Sequence, residues 1–230
     1  MKRFYKDVTV TAEAGGFGVA LDSRPVRTPL RRALLLPTRA LAEAIAAEWE
    51  AQQGDVRPSS MPLTGLANAA IDRVAPDVAG FAEPLAAYVE GDALAYRATD
   101  PPSLVAAERA AWDPLLAWAR DGLGLEMTLS TGVTPLRQGR ATVARVRGML
   151  AALDAFRLVA LDPVIRIGGS AIVGLALLHG RIGAEEAFAA THVEELWQAS
   201  QWGDDALAVA ARADRRQAML AAARFLALCG

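Results

Sequence analysis

Between His192 and Gly203 the chain reads HVEELWQASQWG, which brings two adjacent carboxylates, two glutamines, two tryptophans and one histidine into twelve residues, with no lysine, arginine or cysteine. A zinc deaminase opens with His-x-Glu, as His192-x-Glu194 does, but completes its ligand set with Pro-Cys-x-x-Cys. The one cysteine, Cys229, is the second-last residue, so that metal site is excluded. A glycosidase faces two carboxyls across one bond. On a helix, at about 100° per residue, Glu194, Trp197, Gln198 and Gln201 fall on one side, while Glu195 falls near Phe188, Ala199 and Trp202. The adjacent acids then point in different directions and do not converge on one substrate atom. Two readings remain: a solvated stripe with one acid at the edge of the core, or a polar and aromatic recognition face. In the second reading Glu194, Glu195, Gln198 and Trp202 are the partner-binding residues.

Other chemistry lacks its residues. GGFGVALD holds Gly16-x-Gly18 without a third glycine and opens into a strand, so the helix-terminal amides that hold a pyrophosphate are missing, and no Walker-type loop occurs. In RIGGSAIVG, Ser170 could cap a helix whose first amides face an anion, although a Gly-Gly turn before an apolar helix is the commoner use. His179 and His192 are the only imidazoles and are expected to be ordinary helix or cap residues. No Gly-x-Ser-x-Gly elbow is present. No cofactor and no metal ion is expected.

The elements that must position these residues follow from composition and period. Of 230 residues, 53% are hydrophobic and 22% charged, with alanine and leucine dominating, which predicts a mainly helical body. A net charge of −2 gives no footprint for nucleic acid or for an anionic membrane. The most apolar run, Gly168 to Leu178, has eleven uncharged residues, short of the roughly 18–20 that span a bilayer, so no membrane insertion is expected. One terminal cysteine and a start unlike a signal or transit peptide point to the cytoplasm.

The first forty residues alternate apolar and polar positions and are interrupted by Gly15-Gly16, by DSRP and by Pro29, which predicts short strands near 4–10, 17–21, 25–28 and 33–36. A helix from the cap Thr38 to just before Gly54, with Leu41, Ile45 and Trp49 on one stripe, should cover that sheet. Beyond Pro58 the pattern turns helical. The fold class is therefore α+β, a small β-rich N-terminal domain (1–58) followed by an all-α domain (59–230). The first helix of that domain starts with Pro62 and carries Leu63, Leu66, Ala70 and Val74 on one side. Further helices are expected at 77–89, 101–121, 139–152, 154–162, 168–179, 183–201 and 204–228. Asp113-Pro114, between Trp112 and Trp118, reads as a helix break with a cap. Asn68 and Asp72 form either a polar face or a knot between the domains, and segment 124–134 is either an extended link or a strand returning to the first sheet.

Seven stretches in order carry a family resemblance: KRFYKDVTV (2–10), LDSRPVRTP (21–29), LAEAIAAEWEAQ (41–52), MPLTGLANAAIDRV (61–74), GDALAYRA (91–98), WDPLLAW (112–118) and EELWQASQWG (194–203). Through them the chain resembles the assembly chaperones that bind the alpha subunit of the catalytic sector of the rotary ATP synthase before it meets the beta subunit. The resemblance implies a small α+β domain joined to a helical one, the alpha subunit as partner, and no enzyme activity, cofactor or small-molecule substrate. It also implies a functionally important glutamate, at Glu194 or Glu195. A start directly at KRFYKD is what a bacterial, cytoplasmic member would show. The rival from another class is a small carboxylate-dependent hydrolase using Glu195 with Asp72 or Asp113, which needs a pocket where those acids converge. A passive scaffold for another complex is the third reading.

Overall fold

The computed structural model describes residues 2–132 and 136–230. The chain divides into two units, Met1–Val78 with Asp154–Ala160 and Arg224–Gly230, and Ala79–Leu153 with Leu161–Ala223. The first unit thus runs past the compositional change near residue 58. A small antiparallel sheet and a mainly helical remainder make the fold α+β.

In the first unit β1 (Val8–Glu13), β2 (Gly16–Leu21) and β3 (Arg24–Pro25) pair antiparallel in that order, with Val8 opposite Leu21 and Leu21 opposite Arg24. Asp22 and Ser23 both have positive φ, the requirement of a two-residue hairpin turn that matches strand twist. The Asp22 carboxylate accepts the Lys6 and Asp7 amides at 3.0 and 2.9 Å. The first strand begins later than expected because Arg3 takes the preceding backbone out of the ladder. Its guanidinium donates to the carbonyls of Tyr5, Lys6, Glu50 and Gln52. The expected strand at 33–36 reduces to a bridge in which Phe17 and Leu36 exchange bonds of 2.9 and 2.8 Å. That approach requires Gly16, where a Cβ would collide with the Leu36 carbonyl. The stretch 25–28 contributes only Pro25 to a strand, since the chain turns at once through Pro29 and Arg31, the latter at φ 63°.

Helix α1 (Arg39–Glu50) starts where the Thr38 hydroxyl accepts the Leu41 amide, and it packs on β1 and β2 through the fully buried Leu41, Ala42 and Ile45. It ends at Glu50, before Gly54. Trp49 packs edge-on to Tyr5, whose hydroxyl donates to the Trp49 carbonyl at 2.7 Å. Helix α2 (Pro62–Ala69) continues through one π turn, Ala70–Val74, burying Leu63, Ala67, Ala70 and Val74 with Leu66 at the margin. Its first amides face Glu48 of α1, whose carboxylate accepts from Leu63 N and Thr64 N at 2.8 Å each and from the Thr64 hydroxyl at 2.7 Å. Asp72 accepts from the Thr28 hydroxyl and the Leu30 amide at 2.8 and 3.0 Å, tying the 28–32 turn to the end of α2. Asn68 takes no part in that knot, and its buried Oδ1 has no partner.

The second unit contains α3 (Val78–Ala86), 3-10 turns at Ala87–Gly91 and Ala93–Ala95, β4 (Tyr96–Arg97), α4 (Pro102–Leu123) and β5 (Ser130–Thr131). Then follow along the chain α5 (Arg140–Ala151), α6 (Ala155–Gly168), α7 (Ala171–Leu178), α8 (Ala184–Thr191), α9 (Val193–Trp202) and α10 (Ala206–Leu228), with residues 155–160 of α6 and 224–228 of α10 belonging to the first unit. Segment 124–134 does pair, but in parallel with β4, Tyr96 opposite Ser130; residues 133 and 134 lie outside the described residues. Helix α4 does not break at Asp113-Pro114. Proline inside a helix costs about 3 kcal/mol, and packing on both sides offsets it: Trp112 and Leu115 are buried, and the Trp112 Nε1–H donates to the Ala190 carbonyl at 2.6 Å. The helix ends instead at Gly124, φ 63°, the left-handed residue of a Schellman-type cap. Helix α6 likewise runs through Pro163 to Gly168, past the expected end at 162.

The helix expected over 183–201 is two helices. The Thr191 hydroxyl donates to the carbonyls of Ala187 and Phe188 at 3.1 and 3.0 Å, competing with the amides that would continue the ladder. The chain tightens at His192 and restarts as α9. Helix α7 is buried along Ala171–Ala176 on all sides, so its first amides have no water to turn to. Ser170 caps Val173 N at 3.1 Å, and the fully buried Asp92 carboxylate accepts Ile172 N and Leu94 N, each at 3.1 Å. Burial outweighs these donors and pushes the Asp92 carboxyl up to about 6.

Two stability predictions follow from these capping carboxylates. Glu48→Ala removes the two oxygens that accept three hydrogen bonds at the start of α2 and should cost about 2 kcal/mol in urea unfolding monitored by tryptophan fluorescence; no change in midpoint would show the cap to be idle. For Asp92 the folded value lies above the unfolded 3.8, so the native chain holds more protons between pH 3.8 and about 6. The stability of wild type relative to Asp92→Asn, which cannot ionise, should be highest below pH 3.8 and fall by about 3 kcal/mol as pH rises through about 6, then stay level. Parallel unfolding curves at pH 4, 5, 6 and 7.5 check the slope, and an advantage that grew with pH would contradict it.

Candidate functional site

Helix α9 has two faces because its polar and apolar residues segregate around the axis. Glu194, Glu195 and Gln198 line a cavity of about 340 Å³ together with His192 and Trp112. Val193, Leu196 and Trp197 line an apolar groove of about 600 Å³ against α4. The expected face is corrected in two respects. Glu194 and Glu195 open on the same cavity despite their angular separation, and Trp197 belongs to the apolar wall instead of standing beside Glu194 and Gln198.

The two acids nevertheless differ in their partners. Arg215 of α10 donates to both Glu195 oxygens at 2.7 and 2.6 Å, and Arg212, itself paired with Asp204, reaches Glu195 at 3.4 Å. Arg215 also donates to His192 Nε2 at 3.3 Å, which leaves the imidazole proton on Nδ1, 3.0 Å from the Phe188 carbonyl. Burial first, with the charges of Arg215 and Arg212, holds His192 below the usual histidine range. A neutral imidazole with both nitrogens engaged is a wedge at the α8–α9 joint and not a proton carrier. Glu194, by contrast, is exposed and has no hydrogen-bond or ion-pair partner among the described residues, and neither has Gln198.

Behind this face stand residues that sequence reasoning did not single out. Glu108, one turn before Trp112, is 1% exposed; its Oε2 accepts the Ala98 amide at 2.9 Å and its Oε1 has no partner. Burial raises its carboxyl above the ordinary range, and the Glu194 charge adds to the shift. Arg97 lies 5.1 Å from the Trp112 ring centre and pairs with Asp113 at 2.7 Å. Arg97 sits in the GDALAYRA block and Arg212 and Arg215 in an arginine-rich turn of α10, the only signal for either. Trp202 is outside the cavity, 74% exposed, with its ring edge-on to Trp197 at 5.4 Å.

The acids expected of a hydrolase are already engaged. Glu195 is held by two guanidiniums, Asp113 by Arg97, and Asp72 by Thr28 and Leu30. Among the described residues no group of three or more histidine, cysteine or carboxylate side chains could hold a metal ion, and no helix is long and apolar enough to cross a membrane. The arrangement offers recognition: exposed acceptors and an amide on one face, apolar surface on the other.

Known proteins agree with that character. Protein atp12, mitochondrial, of Schizosaccharomyces pombe is 25% identical over 219 residues, covering 88% of this chain and 74% of the relative. The crystal structure of Atp12 from Paracoccus denitrificans superposes with a TM-score of 0.94 at 43% identity, covering 100% of this chain and 98% of that one. The Atu1473 protein of Agrobacterium tumefaciens gives 0.94 at 42% identity, covering 100% and 86%. Residues 2–120 match the model of a family described as ATP12 chaperone protein, and the chain belongs to that family.

Proposed function

We propose that this chaperone binds the unassembled alpha subunit of the ATP synthase catalytic sector in the cytoplasm and holds it for assembly, using Glu194, Gln198 and Trp202 as contacts, with no cofactor and no small-molecule substrate. Membership of the ATP12 chaperone family supports an assembly role, and the ordered sequence blocks support the alpha subunit as client. The observation that carries the site is an uncommitted line along α9: a carboxylate and an amide, Glu194 and Gln198, unpaired among the described residues, followed one turn on by Trp202, which is 74% exposed. Such aromatic and polar groups are the usual centre of a protein interface.

An unassembled subunit exposes apolar surface meant for its neighbour, and exposed patches of that kind aggregate. A chaperone with no nucleotide motor covers them by mass action, burying about 800 Å² on its own side, and is displaced when the proper neighbour binds more tightly. Glu195 enters this reading indirectly, because its bonds to Arg212 and Arg215 fix α9 on α10.

Deleting the gene should leave alpha subunit in the insoluble fraction while its transcript is unchanged; fully assembled synthase in the deletion strain would contradict the proposal. The two glutamates should separate by measurement. Glu194→Ala should keep the wild-type melting temperature and capture purified alpha subunit about ten-fold more weakly, a loss near 1.4 kcal/mol. Glu195→Ala leaves two guanidiniums without their carboxylate and should lower stability by about 1 kcal/mol, with its capture following the folded fraction. Equal capture by wild type and Glu194→Ala would remove Glu194 from the contact.

A further inference from the structure

We propose that the apolar groove between α4 and the α8–α9 pair seats one amphipathic helix of the client, and that this helix carries a carboxylate that meets Arg181. The inference rests on the client reading above and assigns a second face of the same helix to it. One wall of the groove is Ala107, Ala110, Ala111 and Pro114, spaced i, i+3, i+4, i+7 along α4. That is a single helical face, and none of the four is buried. A face of small side chains lets a second helix approach at the short end of the usual range, about 8 Å between axes. The other wall is taller, formed by Ile182, Leu196 and Trp197. A volume of about 600 Å³ accommodates several large side chains of a helix laid along it.

The chemistry of the groove selects the occupant. Its walls offer almost no backbone partners, so an extended segment would leave amides and carbonyls unmet, whereas a helix satisfies its own. The exception is Ala110, whose carbonyl has no i+4 donor because Pro114 lacks an N–H, and both residues line the groove. A donor side chain of the incoming helix can use that oxygen. Of the two charged residues on the rim, Glu186 is engaged by the Gly183 amide at 2.8 Å as part of the α8 cap, while Arg181 has no ion-pair partner among the described residues. Glu186 keeps its charge but is compensated by the amides at the start of α8, so Arg181 is the rim charge left to meet a client carboxylate. Trp197 links the groove to the exposed Trp202, so the surface is continuous with the contact proposed above.

The test uses the full chain and purified alpha subunit. Ala110→Trp fills the groove from an exposed position and should bind alpha subunit at least about ten-fold more weakly with an unchanged melting temperature. Arg181→Glu, at the rim where folding is not at stake, should weaken binding about five-fold. A benzophenone maleimide on Ala107→Cys should crosslink to one helical stretch of alpha subunit that includes an acid. Labelling stays at that position because Cys229 is buried with its thiol pushed up to about 12. Wild-type affinity in Ala110→Trp, or crosslinks scattered over the alpha subunit, overturns the groove while the client reading stands. Failure of wild-type protein to bind alpha subunit overturns the client reading and this occupant with it. Anilinonaphthalene sulfonate, an apolar anion, probes the groove without any client: equal fluorescence enhancement by wild type and Ala110→Trp would show that it is not an open apolar site.

Discussion

One buried carboxylate holds the helical unit in register. Asp92 lies at the start of α7 with no exposure, accepting amides from α7 and from the 3-10 turn that leads into β4. A helix N-terminus without water must find acceptors inside the protein, and α7 is buried along most of its length. An ionised acid supplies them and complements the helix dipole. Burial acts the other way and raises the carboxyl to about 6, so the site is a compromise between desolvation and hydrogen bonding. The Ala93 amide donates to the Gly169 carbonyl at 2.9 Å, so the same junction fixes both sides of the joint. Helices α4 and α8 pack on α7, and α9 follows from α8. The orientation of α9 therefore depends on a charge distant from it in sequence, whose neighbour Ala93 lines the same cavity as Glu194 and Glu195.

The second determinant is the joint at His192. Had α8 and α9 formed one rod, Glu195 would have continued the stripe of Phe188, as the wheel drawn from sequence has it. The Thr191 hydroxyl and the His192 ring, stacked at 4.1 Å on Phe188, re-aim the chain there. Arg215 then couples the joint to α10 by holding His192 and Glu195 at once. The result is a helix whose acids look into one cavity and whose Leu196 and Trp197 look into another. A two-faced helix suits a protein that must cover a neighbour's apolar surface and still discriminate among partners, since area gives affinity while polar groups give specificity.

Local signals were legible wherever the deciding atoms are close in sequence. Thr38 caps the first helix, Asp22-Ser23 turns a hairpin, Ser170 caps the apolar helix, and each of these contacts spans a few residues. The failures share the opposite property. Pro114 and Pro163 stay inside helices because distant packing outweighs a local cost, as the bond from Trp112 to Ala190, 78 residues away, shows. Asp92 gave no sign of its role, because the amide of Ile172 that it receives is 80 residues distant. Arg3 reaches 47 residues to the Glu50 carbonyl and so shortens the first strand. Sequence placed the four candidate site residues on or at the end of one long helix, 183–201, but could not tell that Glu195 is spent on arginines while Glu194 and Gln198 are left unpaired among the described residues.

That division of labour between adjacent acids bears on how a passive chaperone lets go. A contact built on buried, fully paired charges would leave unmatched charges behind on release, at a cost of several kcal/mol. Glu194 faces water when no client is bound, so separating it from a partner group returns it to solvent with little penalty. Glu195 is bonded to Arg215 and Arg212 within the chain itself. Rim charges tune association more than dissociation, and a shallow apolar groove contributes area without a deep anchor. In the reading proposed above, a client held this way is yielded to any neighbour that buries more of the same surface.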